Sequence, residues 1–227
     1  MELQKNNCTL CETHLHTADV SICGGILAKE IPQLYKNKGF KNIIVTDHWN
    51  EHTLSQFSGN NHEKNEKWQR GYKIIREECE KLNMTAFLGM ELSITGCVED
   101  YLIYGVTDEF LKDYPALYNC TIDEVFKAVE ESGLLIYQAH PFRPYIEVRP
   151  FEFLHGVEVF NMNPRHDGNN NSALTFAKKH NLLQLAGSDF HQYEDVARGG
   201  IYLPSDIKTN SELVNFLRLG KYKLYNK

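Results

Sequence analysis

Thr9-Leu10-Cys11-Glu12-Thr13-His14-Leu15-His16 is the stretch on which the reading of this chain turns. It has the composition of a β-strand, in which residues two apart share a face, so His14 and His16 point the same way at its end. Far along the chain, Asp189 and His191 repeat that spacing. Between them, Asp47-His48 follows Ile43-Ile44-Val45, Glu91 follows Phe87-Leu88-Gly89-Met90, and His140 comes soon after Leu134-Leu135-Ile136-Tyr137. Each candidate ligand thus closes an apolar run of strand length. Side chains delivered in this way gather at one mouth of a barrel and form a multinuclear metal site.

Working outward, strands alternate with helices. The patterns predict a helix over 25–38 with Ala28, Ile31, Leu34 and Tyr35 on one face, a buried strand over 42–46, and one long helix over 63–82 carrying Trp68, Tyr72, Ile75 and Cys79. Strands follow over 85–90 and 100–105, then a helix over 121–132 opened by a Thr121/Glu124 capping box and stopped at Gly133 before a strand over 134–139. The last third repeats the scheme, with strands over 156–160, 182–186 and 200–203 and helices over 170–180 and 210–219. Such alternation implies a parallel sheet, and this many units favour a barrel over an open doubly wound sheet. No Gly-x-Gly-x-x-Gly follows the first strand and no Gly-Lys-Ser/Thr loop occurs, which removes the main support for nucleotide-binding readings.

At 227 residues and 42% hydrophobic, the chain fits one domain, 1–227, with a core able to hold a rigid site. A net charge of −6 without a Lys/Arg cluster argues against a nucleic-acid surface. Met1 to Cys8 contains no apolar segment of a leader type, and no apolar run approaches the roughly 20 residues that span a bilayer, so the expectation is a cytoplasmic protein with no membrane partner. The six cysteines read as reduced thiols, and the Cys8/Cys11 spacing lacks a second pair to make a zinc knot.

Imidazole and carboxylate ligands together suit zinc, manganese or iron. A carboxylate such as Glu91 can bridge two cations, which would activate water and neutralise charge developing on a phosphoryl or carbonyl group. Singly, each element has a plainer reading: a polar strand face for His14 and His16, a helix cap for Asp47, a turn for Glu91, a strand end for His140. Their joint occurrence after successive apolar strands favours the metal site.

The chain resembles the PHP (polymerase and histidinol phosphatase) family through Thr13-His14-Leu15-His16-Thr17, Thr46-Asp47-His48, Gly89-Met90-Glu91, Ala139-His140-Pro141 and Gly187-Ser188-Asp189-Phe190-His191. These motifs stand in family order and span most of the chain. The resemblance implies a single-domain α/β fold, a distorted (β/α)7 TIM-like barrel, whose two or three divalent metal ions (a trinuclear centre when full) hydrolyse phosphoesters. It implies that His14, His16, Glu91 and Asp189 hold a first metal, that Glu91 bridges to a second shared with His140, and that His48 and His191 hold a third. The family adds a ligand in the loop after the histidine pair. Here that loop reads Asp19-Val20-Ser21-Ile22-Cys23-Gly24, and Asp19 is the candidate with Cys23 as the alternative. On the strand after Glu91 the family's histidine is missing, and Asp100 is the nearest oxygen ligand.

Arg143, three residues past His140, carries a guanidinium fork suited to phosphate oxygens and is a candidate catalytic residue. Arg165 and Arg198 are weaker candidates. Asp47 is the other catalytic candidate and, like Glu158, could orient a ligating histidine. Trp49 and His52 could meet a substrate or pack their loop. The expected activity is hydrolysis of a phosphoester of a small metabolite, histidinol phosphate among the plausible ones. The alternative is an amidohydrolase-like amide or lactone hydrolase, disfavoured because no lysine stands at a strand end.

Overall fold

The structure is a computed structural model in which residues 8–227 are described. The N-terminal reading of residues 1–7 therefore lies outside the described residues. The elements run β1 (Cys8–Glu12), α1 (Ile31–Asn37), β2 (Phe40–Val45), β3 (His48–Trp49), α2 (Glu51–Ser55), α3 (Asn61–Trp68), α4 (Arg70–Lys81) and β4 (Thr85–Ser93). They continue with β5 (Asp100–Tyr104), α5 (Asp108–Asp113), α6 (Ile122–Glu131), β6 (Leu135–Gln138), β7 (Gly156–Asn161), α7 (Asn170–His180), β8 (Leu183–Gly187), β9 (Gly199–Pro204), α8 (Asn210–Arg218) and β10 (Leu224–Asn226).

The sheet order is β10-β9-β1-β2-β4-β5-β6-β7-β8, with β3 added beside β4. It curls until its ends meet. Beyond β1 and β8, Leu15 pairs in parallel with Phe190, His16 N–H donating to the Phe190 carbonyl at 3.0 Å and Phe190 N–H to the His14 carbonyl at 3.1 Å. A Cβ on Gly199 would stand 2.2 Å from the Gly187 carbonyl oxygen, so the seam depends on glycine to let two backbones touch. The result is an α/β, TIM-like barrel, as the sequence implies.

The sheet is not wholly parallel, and this corrects the expectation. β5 runs antiparallel to both β4 and β6, and β9 runs antiparallel to β1 and β10. Hydrophobic alternation has the same period in either direction, so it carries no information on polarity. The reversal matters for the site, because it brings the amino end of β5, Asp100, to the mouth where the other strands deliver their carboxyl ends.

The barrel interior is filled by inward residues of alternate positions, among them Cys11, Ile44, Phe87, Leu102, Tyr104, Leu135, Tyr137 and Leu185, and is plugged at the far end by Leu213, Val214 and Leu217 of α8. Burying these side chains contributes about 1.5–3 kcal/mol each and makes a rigid floor. The helices pack outside, Tyr35 and Ile75 against Ile43 and Val45, and Val125 and Val129 against Ile136 and Val157.

Two predicted helices differ in extent. The helix expected from 25 begins only at Ile31, with Pro32 in its first turn, because the preceding residues fold back on the site. The single helix over 63–82 is two, interrupted at Gln69. Gly71 opens the second close to the mouth: a Cβ there would lie 2.4 Å from Thr17 Oγ1 and 2.6 Å from Asp47 Oδ2. The break lets the backbone nestle against those two residues.

Candidate metal centre

Seven side chains converge at the mouth. His14 Nε2 and His16 Nε2 are 3.2 Å apart, and lie 3.2 and 3.1 Å from the two oxygens of Glu91. His48 Nδ1 and His140 Nε2 approach the same carboxylate at 3.0 and 3.3 Å, while Asp189 Oδ1 sits 3.4–3.5 Å from His14, His16 and His191. His14 and His16 are fully buried and Glu91 nearly so. His140 and Asp189 adopt left-handed backbone, with φ of 30° and 49°. Such strain costs about 1–3 kcal/mol per residue and persists where surrounding contacts over-determine the geometry.

Neighbours fix which nitrogen each ring presents. Glu158 Oε1 lies 3.0 Å from His14 Nδ1, His191 Nδ1 faces the Asp189 carbonyl at 2.8 Å, and Ser21 Oγ lies 3.4 Å from His16 Nδ1. Each leaves Nε2 free toward the centre, the arrangement that orients metal-binding imidazoles. Glu158 Oε2 also accepts the His140 N–H at 3.0 Å and Asn161 Nδ2 at 2.9 Å.

These groups fit divalent cations. Glu91 Oε1 and the Nδ1 atoms of His48 and His140 are buried without a hydrogen bond, although imidazole nitrogens surround Glu91. Two ligands about 2.0–2.1 Å from one tetrahedral zinc are roughly 3.3 Å apart, and the spacings at the mouth have that size. The candidate ligand groups are His14, His16 and Glu91; His48, Glu91 and Asp100; and His16, Cys23, His48 and His191.

Electrostatics support the same fit. Burial disfavours charge on His14, but Glu91, Glu158 and Asp189 outweigh it and raise its pKa well above the ordinary imidazole value. His16 is likewise lifted to about 9, against burial, by Asp189 and Glu91. Burial pushes His48 down to about 3 and His191 to about 4, so both are neutral, the form that binds metal. Glu91 and Asp189 stay well below the ordinary carboxylate range despite burial, because the histidines beside them favour the anions. Here the carboxylates draw protons onto His14 and His16, and a cation would displace those protons.

Among the predicted site residues, the structure brings together His14, His16, His48, Glu91, Asp100, His140, Asp189 and His191. Asp100 Oδ2 lies 3.9 Å from His140 Nε2, and burial raises its pKa to about 6. Asp19 is not among them: its carboxylate accepts the Ala28 N–H at 2.7 Å, where the loop doubles back, and Cys23 faces the histidines instead. Asp47 is buried away from the ligand atoms. It accepts from Thr17 N at 2.7 Å, Thr17 Oγ1 at 2.8 Å and Ser21 Oγ at 2.7 Å, and so reaches His16 only through Ser21. Trp49 packs its loop, donating to Asn65 Oδ1, and Arg198 donates to the Glu194 carbonyl.

Arg143 stands at the wall of a cleft of about 310 Å³ above the cluster, with Asn163, Arg165, His166 and Gln192. Its Nη2 donates to Asp189 Oδ2 at 2.6 Å and to Asn161 Oδ1 at 3.2 Å, leaving a buried Nε unpaired. Arg165 makes a two-pronged pair with buried Asp195, at 2.5 and 2.8 Å.

Sequence reasoning missed Glu12. Its Oε1 accepts the N–H groups of Thr13, His14 and Ser188 at 2.9, 3.0 and 2.9 Å, and Oε2 accepts the Tyr35 hydroxyl at 2.8 Å. The available signal was its place in the alternation Glu12, His14, His16. Asp195 was missed as well; it accepts the N–H groups of His191 and Gln192 and so shapes the turn that carries a ligand.

The barrel and its histidine-carboxylate mouth define an α/β-barrel protein whose clustered side chains fit divalent cations. Residues 167–222 match the family model described as PHP-associated. An uncharacterized protein of Methanocaldococcus jannaschii is 31% identical over 119 residues, 44% of this chain and 50% of its own length. The chain thus spans about half the length of the curated relative it matches. A Bacteroides vulgatus two-domain protein, described as containing a predicted PHP-like metal-dependent phosphoesterase, superposes with a TM-score of 0.71 at 18% identity over 100% of this chain and 67% of its own. The lesion-specific endonuclease EndoQ of Pyrococcus furiosus superposes with a TM-score of 0.64 at 15% identity, over 96% of this chain and 57% of its own. The family-model match is confined to residues 167–222, and the solved structures share the barrel; with the motif order, these are similarities to PHP proteins.

Proposed function

We propose that this chain is a metal-dependent phosphoesterase that acts, as one domain over 1–227, on a small phosphorylated metabolite. The observation that supports this reading most directly is the juxtaposition of the ligand cluster and two arginines, Arg143 and Arg165, across one cleft. His14, His16, Glu91 and Asp189 would hold one cation, His140 with Glu91 and Asp100 a second, and His48 with His191 a third. Bound zinc, manganese or iron would supply Lewis acidity and a lowered pKa for water.

The chain's own groups do the rest. The Arg143 guanidinium, tied to Asp189 and Asn161, holds a phosphate oxygen beside the cluster and neutralises charge that grows there. Glu158 keeps His14 in one tautomer and, through the His140 N–H, holds the strained turn at His140. Asp47 positions the loop that carries Ser21. Cleft size suits a metabolite, and histidinol phosphate is one substrate to try; free thiols at all six cysteines suit a cytoplasmic setting. No helix among the described residues is long and apolar enough to cross a membrane. No lysine lines the cleft among the described residues, which disfavours an amidohydrolase site built on carbamylated lysine.

Phosphate release from p-nitrophenyl phosphate, hydrolysis of p-nitrophenyl acetate and cleavage of a damaged DNA duplex, measured with metal content, test the reading. Chelator-sensitive phosphate release with two or three metal equivalents is expected. Metal-dependent ester or DNA cleavage without phosphomonoesterase activity would overturn it.

A further inference from the structure

Cys23 lies in a loop at the mouth that is held in place from both sides. Its start turns tightly, with Ser21 N–H donating to the Thr17 carbonyl at 2.9 Å and Gly24 N–H to the Ser21 carbonyl at 2.9 Å. Ser21 Oγ donates to Asp47 and accepts the His48 N–H at 3.0 Å, while Gly25 N–H donates to the His191 carbonyl at 2.8 Å. Cys23 is therefore suspended between two residues anchored on the backbones of His48 and His191. Its Sγ and one ligand nitrogen each of His16, His48 and His191 lie within 4.8 Å of one another. The His16 ring centroid is 4.4 Å from that of His48, on which it stacks at 27°, and 4.4 Å from that of His191, to which it is tilted at 34°. His48 Nδ1, on its Glu91 side, is buried without a hydrogen bond, 3.0 Å from Glu91 Oε2. The carboxylate that could have competed, Asp19, is turned away onto the Ala28 N–H.

We propose that Cys23 is a metal ligand whose thiolate completes, with His48 and His191, a subsite for a divalent cation of soft-ligand preference, zinc or ferrous iron rather than magnesium. The inference rests on the metal-dependent reading of the mouth and deepens it. As the sulfur–metal bond forms, the S–H bond breaks and its proton leaves to solvent. A thiolate with imidazoles suits zinc and iron, whereas magnesium and calcium take oxygen donors. The ligand being exposed at the rim, the subsite is also the part of the centre open to alkylating reagents when metal is absent.

The test uses the full chain loaded with cobalt(II). A thiolate-to-cobalt charge-transfer band in the near-ultraviolet is expected in the parent and absent in Cys23→Ser. Cys23→Asp, which keeps an anionic ligand, should bind cobalt without the band. In parallel, iodoacetamide labelling read by mass spectrometry should mark Cys23 in the stripped protein and spare it in the zinc-loaded one, with exposed Cys97, which belongs to none of the ligand groups, labelled in both. Cobalt bound without the band, or equal labelling of Cys23 with and without zinc, overturns the thiolate and leaves the rest of the metal centre standing. Failure to bind cobalt at all overturns both this inference and the metal-dependent reading.

Discussion

Glu158→Gln separates the orienting of ligands from ligation itself. Glu158 touches no candidate cation position, yet its two oxygens take three contacts: His14 Nδ1 at 3.0 Å, the His140 N–H at 3.0 Å and Asn161 Nδ2 at 2.9 Å. Glutamine fills the same space but replaces one oxygen with an NH2 group. Turned one way, that NH2 faces the donor at His14; turned the other, it faces the two donors at His140 and Asn161. Either orientation leaves a buried donor against a donor, a destabilisation of about 1–3 kcal/mol. Loss of an orienting carboxylate typically lowers metal affinity about 10–100-fold, equivalent to about 1.4–2.8 kcal/mol at 1.4 kcal/mol per tenfold. The assay is a zinc dissociation constant from competition with a chromophoric chelator, beside thermal unfolding of the stripped protein. Weakened zinc binding in a folded variant is expected. Parent affinity for zinc in Glu158→Gln, while His14→Ala loses zinc, would refute the argument that Glu158 sets the geometry of the site.

Further outcomes follow from the same structure. Arg143→Ala should raise KM for a phosphate monoester by about 10–100-fold, the range expected for a charged hydrogen bond of about 1.5–3 kcal/mol, and unchanged steady-state constants would remove Arg143 from phosphate binding. Metal at 100 times its Kd adds about 2.7 kcal/mol of stability, so chelation should lower Tm by roughly 5–11 °C for a domain of this size; calorimetry with and without chelator reads it. Gly71→Ala would force a Cβ into Thr17 and Asp47, and should destabilise by about 1–3 kcal/mol in denaturant titration; a neutral effect would show that α4 shifts freely. Burial lowers the pKa of His155 despite its partner Glu130. The folded state then resists the proton that the unfolded chain accepts below about pH 6.5, so His155 contributes stability above that pH which is lost as pH falls toward its folded pKa. His155→Gln should flatten that part of the stability profile, and an unaltered profile would contradict the assignment.

Much of the mouth was legible because its signals are short in range. His14 and His16, Asp189 and His191, and Glu91 after its apolar run each declare themselves through a few neighbours. What stayed hidden depends on contacts far apart in the chain. Helical periodicity runs unbroken through Gln69, and only the approach of Thr17 and Asp47 to Gly71 explains the interruption there. Asp100 could be picked out as the nearest oxygen ligand, but the reason it reaches the mouth is the reversed direction of β5, to which alternation is blind. Asp19 and Cys23 sit in an aperiodic loop, where no spacing rule says which side chain turns inward. Glu12 resembled one more polar residue in a strand, because the donors it gathers from Ser188 and Tyr35 lie far away in sequence.

Glu12 ties the Thr13 and His14 amides on one edge of the barrel to the Ser188 amide on the other with a single buried oxygen. Opening the seam therefore means pulling that carboxylate off both edges at once, with the turns that bear His14 and Asp189 going with it. A protein wired in this way has no shallow excursion that frees the mouth while its scaffold stays shut. The His14 and Ser188 amides should thus exchange with solvent deuterium at the same slow rate as the barrel core, through global unfolding alone.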